Sequence, residues 1–491
     1  MKILSNSVSV LVLAFALGAC VTTPPPTVKP EDMPKAYQAP TPETDKQVSA
    51  DWWKAFDSKE LTAFVDEAHN GNLDLATAAA RLEQAQAQAG SAIADLFPAV
   101  GVTGSVDQTG KHGSRPLNTF GLNGAASYEL DVWGKNFNGY RSGREGARAA
   151  LYYQDTVLLT TDANVANAYF TVLALRECID VARKNVEAAK RILAITQAKV
   201  SNGVLSNLEL AQQTATVLGE EATIPGLEEQ EREERNALAI LLGRMPGTLK
   251  VEAASLENLA APPVQAGLPA TLLTRRPDIK QAESSLMAAH ADLDAARAAF
   301  LPGVSLSAGG GWSKNVMTGL ISPQTLVWNL GASVVQTIFD GGKLTSSRDY
   351  YRGREHELLA SYRTAVLSAL SDTETQIGSV AAYSEQERLT TEEVKNAQEA
   401  FRISELQYRE GVVDLLTVLQ AQQTLFTAQD TLIQIKLSRL QSGVGLYRAL
   451  GGGWDVTKDE DKPLRNTFIP VPDLTDLPIP DPTQLQASLP F

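Results

Sequence analysis

The stretch AVGVTGSVD, residues 99–107, alternates apolar side chains with small or polar ones, and three later stretches share this pattern. They are TFGLNGAASYELD (119–131), GVSLSAGGGW (303–312) and LVWNLGASVVQT (326–337). A period of two predicts β-strands, because successive side chains of a strand point to opposite faces. One face is apolar and the other is rich in Gly, Ser and Asn, which is typical of a transmembrane barrel with lipid outside and water inside. The edge of a soluble β-sandwich shows a similar pattern, so the strands alone leave that alternative open.

Aromatic residues lie near the ends of these predicted strands. Phe120, Trp312 and Trp328 lie nearest the connecting loops, and Tyr128 lies toward the opposite end of its strand. This placement predicts an aromatic girdle at the membrane interfaces. Four strands cannot close a membrane barrel, which needs roughly eight or more, and lipid does not tolerate an open sheet edge. If the barrel interpretation holds, several chains share one barrel, and three chains would supply twelve strands.

The strands belong to two copies of a larger unit, residues 71–243 and 275–451, joined by a linker at 244–274. Each copy has a helix, two strands (about 99–107 and 119–131, then about 303–312 and 326–339) and a long helical hairpin. Matching dipeptides recur at a constant offset of 208 residues: Gly134-Lys135 and Gly342-Lys343, Gly203-Val204 and Gly411-Val412, Leu242-Gly243 and Leu450-Gly451. A constant offset over this length indicates an internal duplication.

The long helical segments carry heptad seams of the kind found in coiled coils. The first outgoing helix, residues 135–202, would be about 100 Å long at about 1.5 Å per residue. Its seam is Val186, Ala189, Leu193, Thr196, Val200 and Gly203, and the second copy has Val394, Ala397, Phe401, Ser404, Tyr408 and Gly411. Glycine at the end of each seam predicts that the helix stops there and reverses. Pro225 predicts a break or kink in the first return helix.

The N-terminus predicts export and lipid anchoring. Residues 1–19 have the features of a signal peptide, and LGAC (17–20) is similar to the lipobox of bacterial lipoproteins, in which Cys20 is lipidated. An ordinary export signal with a chance cysteine is the alternative. Residues 20–70 then form an extended linker and an N-terminal segment, and residues 452–491 form a proline-rich tail. The other cysteine, Cys178, is expected to be a small packed side chain within a helix.

Composition and motifs do not indicate an enzyme. The 491-residue chain has a formal net charge of −14 and no basic run, which argues against a nucleic-acid surface. His69, His112, His290 and His356 are isolated in the sequence, so we predict no metal site and no cofactor other than the lipid on Cys20. The acidic pairs Glu220-Glu221 and Glu392-Glu393 are interpreted as solvated helix faces.

Several stretches resemble the outer membrane factors, or TolC-like channels, and within them the lipoprotein branch described as NodT- or OprM-like. They include LGAC (17–20), YELDVWGK (128–135), LAILLGRMPG (238–247), LLTRRPDI (272–279), FDGGK (339–343) and YREGVVDLLTVLQAQQTLFTAQD (408–430). The resemblance implies a homotrimer in which an α-helical barrel continues a 12-stranded transmembrane β-barrel, with an equatorial region that includes the linker and the chain ends. It also implies a Gram-negative outer-membrane location, a periplasmic adaptor and an inner-membrane pump as partners, and a passive exit route for drugs or other small solutes.

The resemblance also assigns roles to the hairpin tips. Adaptor docking falls on Gly203, Val204, Ser206, Gly411, Val412 and Val413, and the periplasmic aperture falls on Asp414, Leu416, Thr417 and Gln420. Relatives often have aspartate at the position of Gln420, and some have a charged residue at that of Val413. Asp414 is then the acid near the tip, and its alternative role is to stabilise the start of the return helix.

Two other functions remain open at this stage. One is the exit duct of a type I protein secretion system, which has the same architecture. The other is a structural periplasmic lipoprotein with coiled coils and no pore, for which the four two-faced strands would serve no purpose.

Overall fold

The computed structural model describes residues 27–39, 48–257, 259, 266–452 and 454. The predicted signal peptide, Cys20 and the tail beyond Trp454 lie outside these residues.

The described chain is mainly helical, with one small antiparallel sheet. The first unit contains α1 (Lys59–Gly71), α2 (Leu73–Ala94), β1 (Ala99–Thr109), β2 (Leu117–Leu130), α3 (Lys135–Ser201) and α4 (Asn207–Leu241). The second contains α5 (Leu272–Arg275), α6 (Pro277–Ala298), β3 (Gly303–Lys314), β4 (Leu326–Val335), α7 (Lys343–Glu410) and α8 (Leu415–Ala449). Short 3-10 helices lie at Pro30–Asp32, Trp52–Phe56, Pro269–Thr271 and Pro323–Thr325. The order predicted for each unit is therefore present in both.

The four strands form one sheet in the order β1-β2-β3-β4, with all pairs antiparallel. Residues directly opposed in neighbouring strands lie on the same face, so the register shows whether the four apolar faces coincide. They do. One row across the sheet consists of Val100, Ala126, Ala308 and Leu330, and the adjacent row on the opposite face contains Ser127, Ser307 and Gly331.

The apolar face of the sheet is open in the single chain. Val100 is 78% exposed, Trp328 72% and Leu330 75%. β4 ends at Val335 and does not continue to about residue 339 as predicted. The side-chain amide nitrogen of Gln336 donates to the Phe300 carbonyl at 2.9 Å. The strand therefore gives way to a loop that is fixed on the end of α6.

Two very long helices carry the chain away from the sheet. α3 has 67 residues and α7 has 68, and each return helix, α4 and α8, has 35. α3 packs against α2, α4, α6 and α8. At about 1.5 Å per residue α3 is about 100 Å long. No helix among the described residues is both long enough and apolar enough to cross a membrane.

Of the break or kink expected at Pro225, the break is wrong. α4 is one continuous helix from Asn207 to Leu241 with Pro225 inside it. Proline removes one backbone hydrogen bond and crowds the carbonyl four residues earlier. Pro225 itself is exposed, and α4 packs along α3, so tertiary packing maintains the helix through the proline.

The main hydrophobic core surrounds the middle of α3, where the return helices end. Trp52 stacks on Tyr447 with ring centroids 5.3 Å apart, and Phe56 contacts Phe170 at 5.2 Å. The segments around Met33 and Trp52 and the linker residues Leu249, Val251 and Leu256 are buried in this core. The N-terminal segment and the linker thus pack together around the middle of α3, beside the ends of both return helices.

The repeated Leu-Gly dipeptides have a common packing role at this level. Gly243 has φ +74° and Gly451 has φ +88°. A Cβ on Gly243 would lie 2.1 Å from the carbonyl oxygen of Gly71, and one on Gly451 would lie 2.0 Å from that of Arg275. Both positions therefore require glycine for its backbone conformation and for the close approach of the chain.

Candidate functional site

The two hairpin tips have the same turn. Gly203 has φ +72° and Gly411 has φ +78°, so each glycine takes the left-handed conformation that ends a helix. The amide of Val204 donates to the Lys199 carbonyl at 2.9 Å, and the amide of Val412 donates to the Gln407 carbonyl at 2.8 Å. These six-to-one bonds define a Schellman motif at both ends.

The return helices begin with side-chain caps. Ser206 Oγ accepts from the Leu208 amide at 3.1 Å, and Glu209 accepts from the Ser206 amide at 3.0 Å, which completes a capping box. Asp414 Oδ1 accepts from the Thr417 amide at 2.9 Å and from the Thr417 hydroxyl at 2.7 Å. The Thr417 hydroxyl bond and the amide bond hold the pKa of Asp414 below its usual value. The predicted aperture residues Asp414 and Thr417 are thus joined in the cap of α8.

Apolar side chains are exposed around the tips. Val204 is 67% exposed and Val412 70%, and one turn into the return helices Leu208 is 65% and Leu416 60% exposed. Val413, by contrast, packs against a buried cluster that includes Tyr408, Leu415 and Val418. The docking residues predicted from the sequence therefore divide into exposed valines, buried contacts and turn or cap residues.

A contact between the hairpins lies just before the tips. Tyr408 of α7 is 1% exposed, and its hydroxyl lies 2.9 Å from the Thr196 hydroxyl of α3. The Lys199 ammonium donates to the Tyr408 carbonyl and lies 4.5 Å from the centroid of its ring. Arg191 and Glu405 add an ion pair at 3.6 Å. The sequence marked Thr196 and Tyr408 only as seam positions.

A groove follows the return helices away from the tips. Residues of α3, α4 and α8 line an open cavity of about 860 Å³ in this groove, and Leu416 and Gln420 are among them. Glu220 of α4 and Asp430 of α8 also line it. Burial raises the pKa of both carboxyls, and the charge of Asp430 raises the pKa of Glu220 further. Glu220 thus faces a groove, which differs from the solvated helix face interpreted from the sequence.

The predicted girdle residues occupy the two ends of the sheet. Phe120 is opposed to Lys314, Trp312 to Leu122 and Trp328 to Gly310, all toward the β1–β2 and β3–β4 connections. Tyr128 is opposed to Leu306, nearer the helices. Along the strands, the three residues near the connections are thus separated from Tyr128.

Two of the histidines have acidic partners far away in the sequence. His69 Nε2 lies 2.7 Å from Asp162, and His290 Nδ1 lies 2.7 Å from Glu355. The hydrogen bond to Asp162 raises the pKa of His69. Among the described residues no group of three or more His, Cys, Asp or Glu side chains is arranged to hold a metal ion. Cys178 is buried, which raises the pKa of its thiol to about 11.

Comparison with known proteins places this architecture in a family. A family model described as outer membrane efflux protein matches residues 64–244 and 268–452. The pyoverdine export outer membrane protein OpmQ of Pseudomonas aeruginosa is 37% identical over 464 residues, covering 91% of this chain and 97% of that protein. The probable efflux pump outer membrane protein TtgC of Pseudomonas putida is 32% identical over 465 residues, covering 91% of this chain and 95% of that protein.

Solved structures share the fold. The outer-membrane channel OprN superposes with a TM-score of 0.83 at 27% identity, covering 89% of this chain and all of that one. The structure of CusC superposes with a TM-score of 0.78 at 25% identity, and the match covers 85% of this chain and all of the CusC chain. The family match and the OpmQ and TtgC alignments each span most of the chain, and the protein belongs to the outer membrane efflux protein family.

Proposed function

We propose that three copies of this chain form a channel in the outer membrane, which serves as the passive exit duct of a tripartite efflux system for small solutes. The observation that carries the proposal is the sheet. Its exposed apolar face is continuous over four strands and stands at the end of two hairpins whose outgoing helices are about 100 Å long.

The sheet supports a shared barrel because its edges are open. Among the described residues β1 pairs only with β2, and β4 only with β3. A sheet with an apolar face is stable in lipid only when all its backbone groups are paired. Copies joined edge to edge satisfy this need, and three copies give twelve strands, the number that the resemblance to outer membrane factors implies.

The hairpins then extend the duct through the periplasm. Their tips offer Val204 and Val412 as exposed apolar contacts for a periplasmic adaptor, which connects the duct to an inner-membrane pump. Leu416 and Gln420 face the lumen, and Asp414 acts mainly as the cap of α8. Lipidation of Cys20 adds an anchor. The printed names of OpmQ and TtgC, which concern pyoverdine export and an efflux pump, support a small-solute cargo.

Insertion into planar bilayers tests the proposal. The purified full-length protein should give discrete conductance steps of uniform size, and cells without it should retain small dyes while protein secretion continues unchanged. A lack of steps, including in variants that weaken the contact between the hairpins, would favour a scaffold without a pore. Loss of protein secretion with normal dye export would favour a type I secretion duct.

A further inference from the structure

We propose that the groove between α4 and α8 is a binding subsite for organic cations with several N–H donors, such as polyamines, on their way through the duct. The inference rests on the proposed function, because it takes the face of α8 that carries Leu416 and Gln420 as part of the lumen wall. It assigns a ligand class to residues beyond the aperture.

The groove has a polar wall on each side. On α8 the lining residues Gln420, Gln423, Thr427 and Asp430 are spaced by three or four positions, so they share one face of the helix. On α4 the lining includes Glu220 and Thr223. The cavity of about 860 Å³ lies within the range of small-molecule sites, roughly 300–1,000 Å³.

Gln422 is the feature that points to a ligand. Its side chain lines the groove and is only 2% exposed. Among the described residues, neither its amide nitrogen nor its amide oxygen has a hydrogen-bond partner. Buried amides are nearly always hydrogen-bonded, because burial without a partner is unfavourable. A polar solute in the groove would supply the missing partner.

The charge of the groove selects cations. Within the described part of the chain, no ion pair involves Glu220 or Asp430, whereas Glu221 pairs with Lys190 at 2.9 Å and Glu228 with Arg183 at 2.7 Å. These two carboxylates, Glu220 half-buried and Asp430 exposed, line one cavity without an ion-pair partner and so stabilise a positive charge bound there. Amide and hydroxyl oxygens beside them accept N–H donors, and the described residues offer no set of three His, Cys, Asp or Glu ligands for a metal ion.

Equilibrium dialysis of radiolabelled spermidine against the purified full-length complex tests the subsite directly. We expect saturable binding that Glu220→Gln and Asp430→Asn each weaken about tenfold, the effect of one charge-assisted hydrogen bond. Gln422→Leu should weaken binding with no change of charge. If that variant fails to assemble, Gln423→Leu, which changes an exposed residue of the same wall, replaces it.

Matched controls separate the subsite from general electrostatics. Glu221→Gln removes the same charge one residue away and should leave spermidine binding unchanged. An equal loss in Glu221→Gln, or a complete loss in Asp414→Asn, would overturn the proposal in favour of surface attraction or of a site at the tips. Normal conductance without spermidine binding would overturn the subsite alone. Spermidine binding without any conductance would overturn the proposed channel and leave the groove as a cation site.

Discussion

The contact of Tyr408 with Thr196 should hold the two hairpins together about one turn before the tips. Tyr408→Phe removes this hydrogen bond and keeps the buried ring. Thr196 still donates to the Ile192 carbonyl at 2.9 Å, so the substitution leaves no unsatisfied donor. The loss is therefore that of one ordinary hydrogen bond, about 1 kcal/mol per copy. In the proposed complex of three copies opening together, the loss would be about 3 kcal/mol, which changes the ratio of open to closed states on the order of 100-fold.

Single-channel recording measures that ratio. Tyr408→Phe and Thr196→Ala should both raise the open fraction, and the double variant should add little to either, because both remove the same bond. Tyr153→Phe is the matched control, since it removes a 3.0 Å bond to Arg81 far from the tips. If the open fraction of Tyr408→Phe stays equal to that of Tyr153→Phe in intact complexes, the hairpins do not separate at Tyr408 and the reasoning is refuted.

Three further outcomes are expected. Gly411→Ala places a side chain at φ +78° and should destabilise the turn at the second tip by about 1–2 kcal/mol. Proteases should then cleave this tip faster, and unchanged cleavage would contradict the expectation. His69 has a raised pKa, so its pair with Asp162 stabilises the fold fully below about pH 6.5, and this contribution is lost as pH rises through the raised value. His69→Gln should therefore flatten the pH dependence of the thermal unfolding temperature. Identical pH profiles for the variant and the unaltered protein would refute a contribution of this pair to stability. Val102→Arg on the apolar face should prevent membrane insertion, because each arginine facing lipid raises the free energy of insertion by about 2–4 kcal/mol. Thr103→Arg on the other face should still insert, and equal insertion of the two variants would reject the assignment of faces.

Local patterns in the sequence predicted most of the architecture. The alternation in residues 99–107 and its three counterparts located the strands and separated their faces, because a strand's side-chain period is independent of its partners. The offset of 208 residues located the two tips, since glycine in the left-handed conformation is a local requirement. Pro225 shows the limit of such rules, because packing along α3 maintains a helix that local propensity would end.

The contacts of the candidate site depend on distant pairs and had no local signal. Tyr408 and Thr196 are 212 residues apart, and His69 and Asp162 are 93 apart. Glu220 was interpreted from the sequence as a solvated residue, whereas the fold places it in the same groove as Asp430. Gln422 was not singled out from the sequence, because the burial of its amide without a partner depends on the packing of α8.

Cross-linking of the sheet edges tests the central claim, that three chains close one barrel. Cysteines replace Thr103 on β1 and Asn329 on β4 in a Cys178→Ala background, and a flexible bifunctional thiol reagent is added to the protein in membranes. Either single-cysteine variant should give no linked product, because each edge needs the other as its neighbour. We predict that the double variant gives covalent two-chain and three-chain products and nothing larger. Linked products that stop at two chains, or a ladder that continues beyond three, would contradict the account.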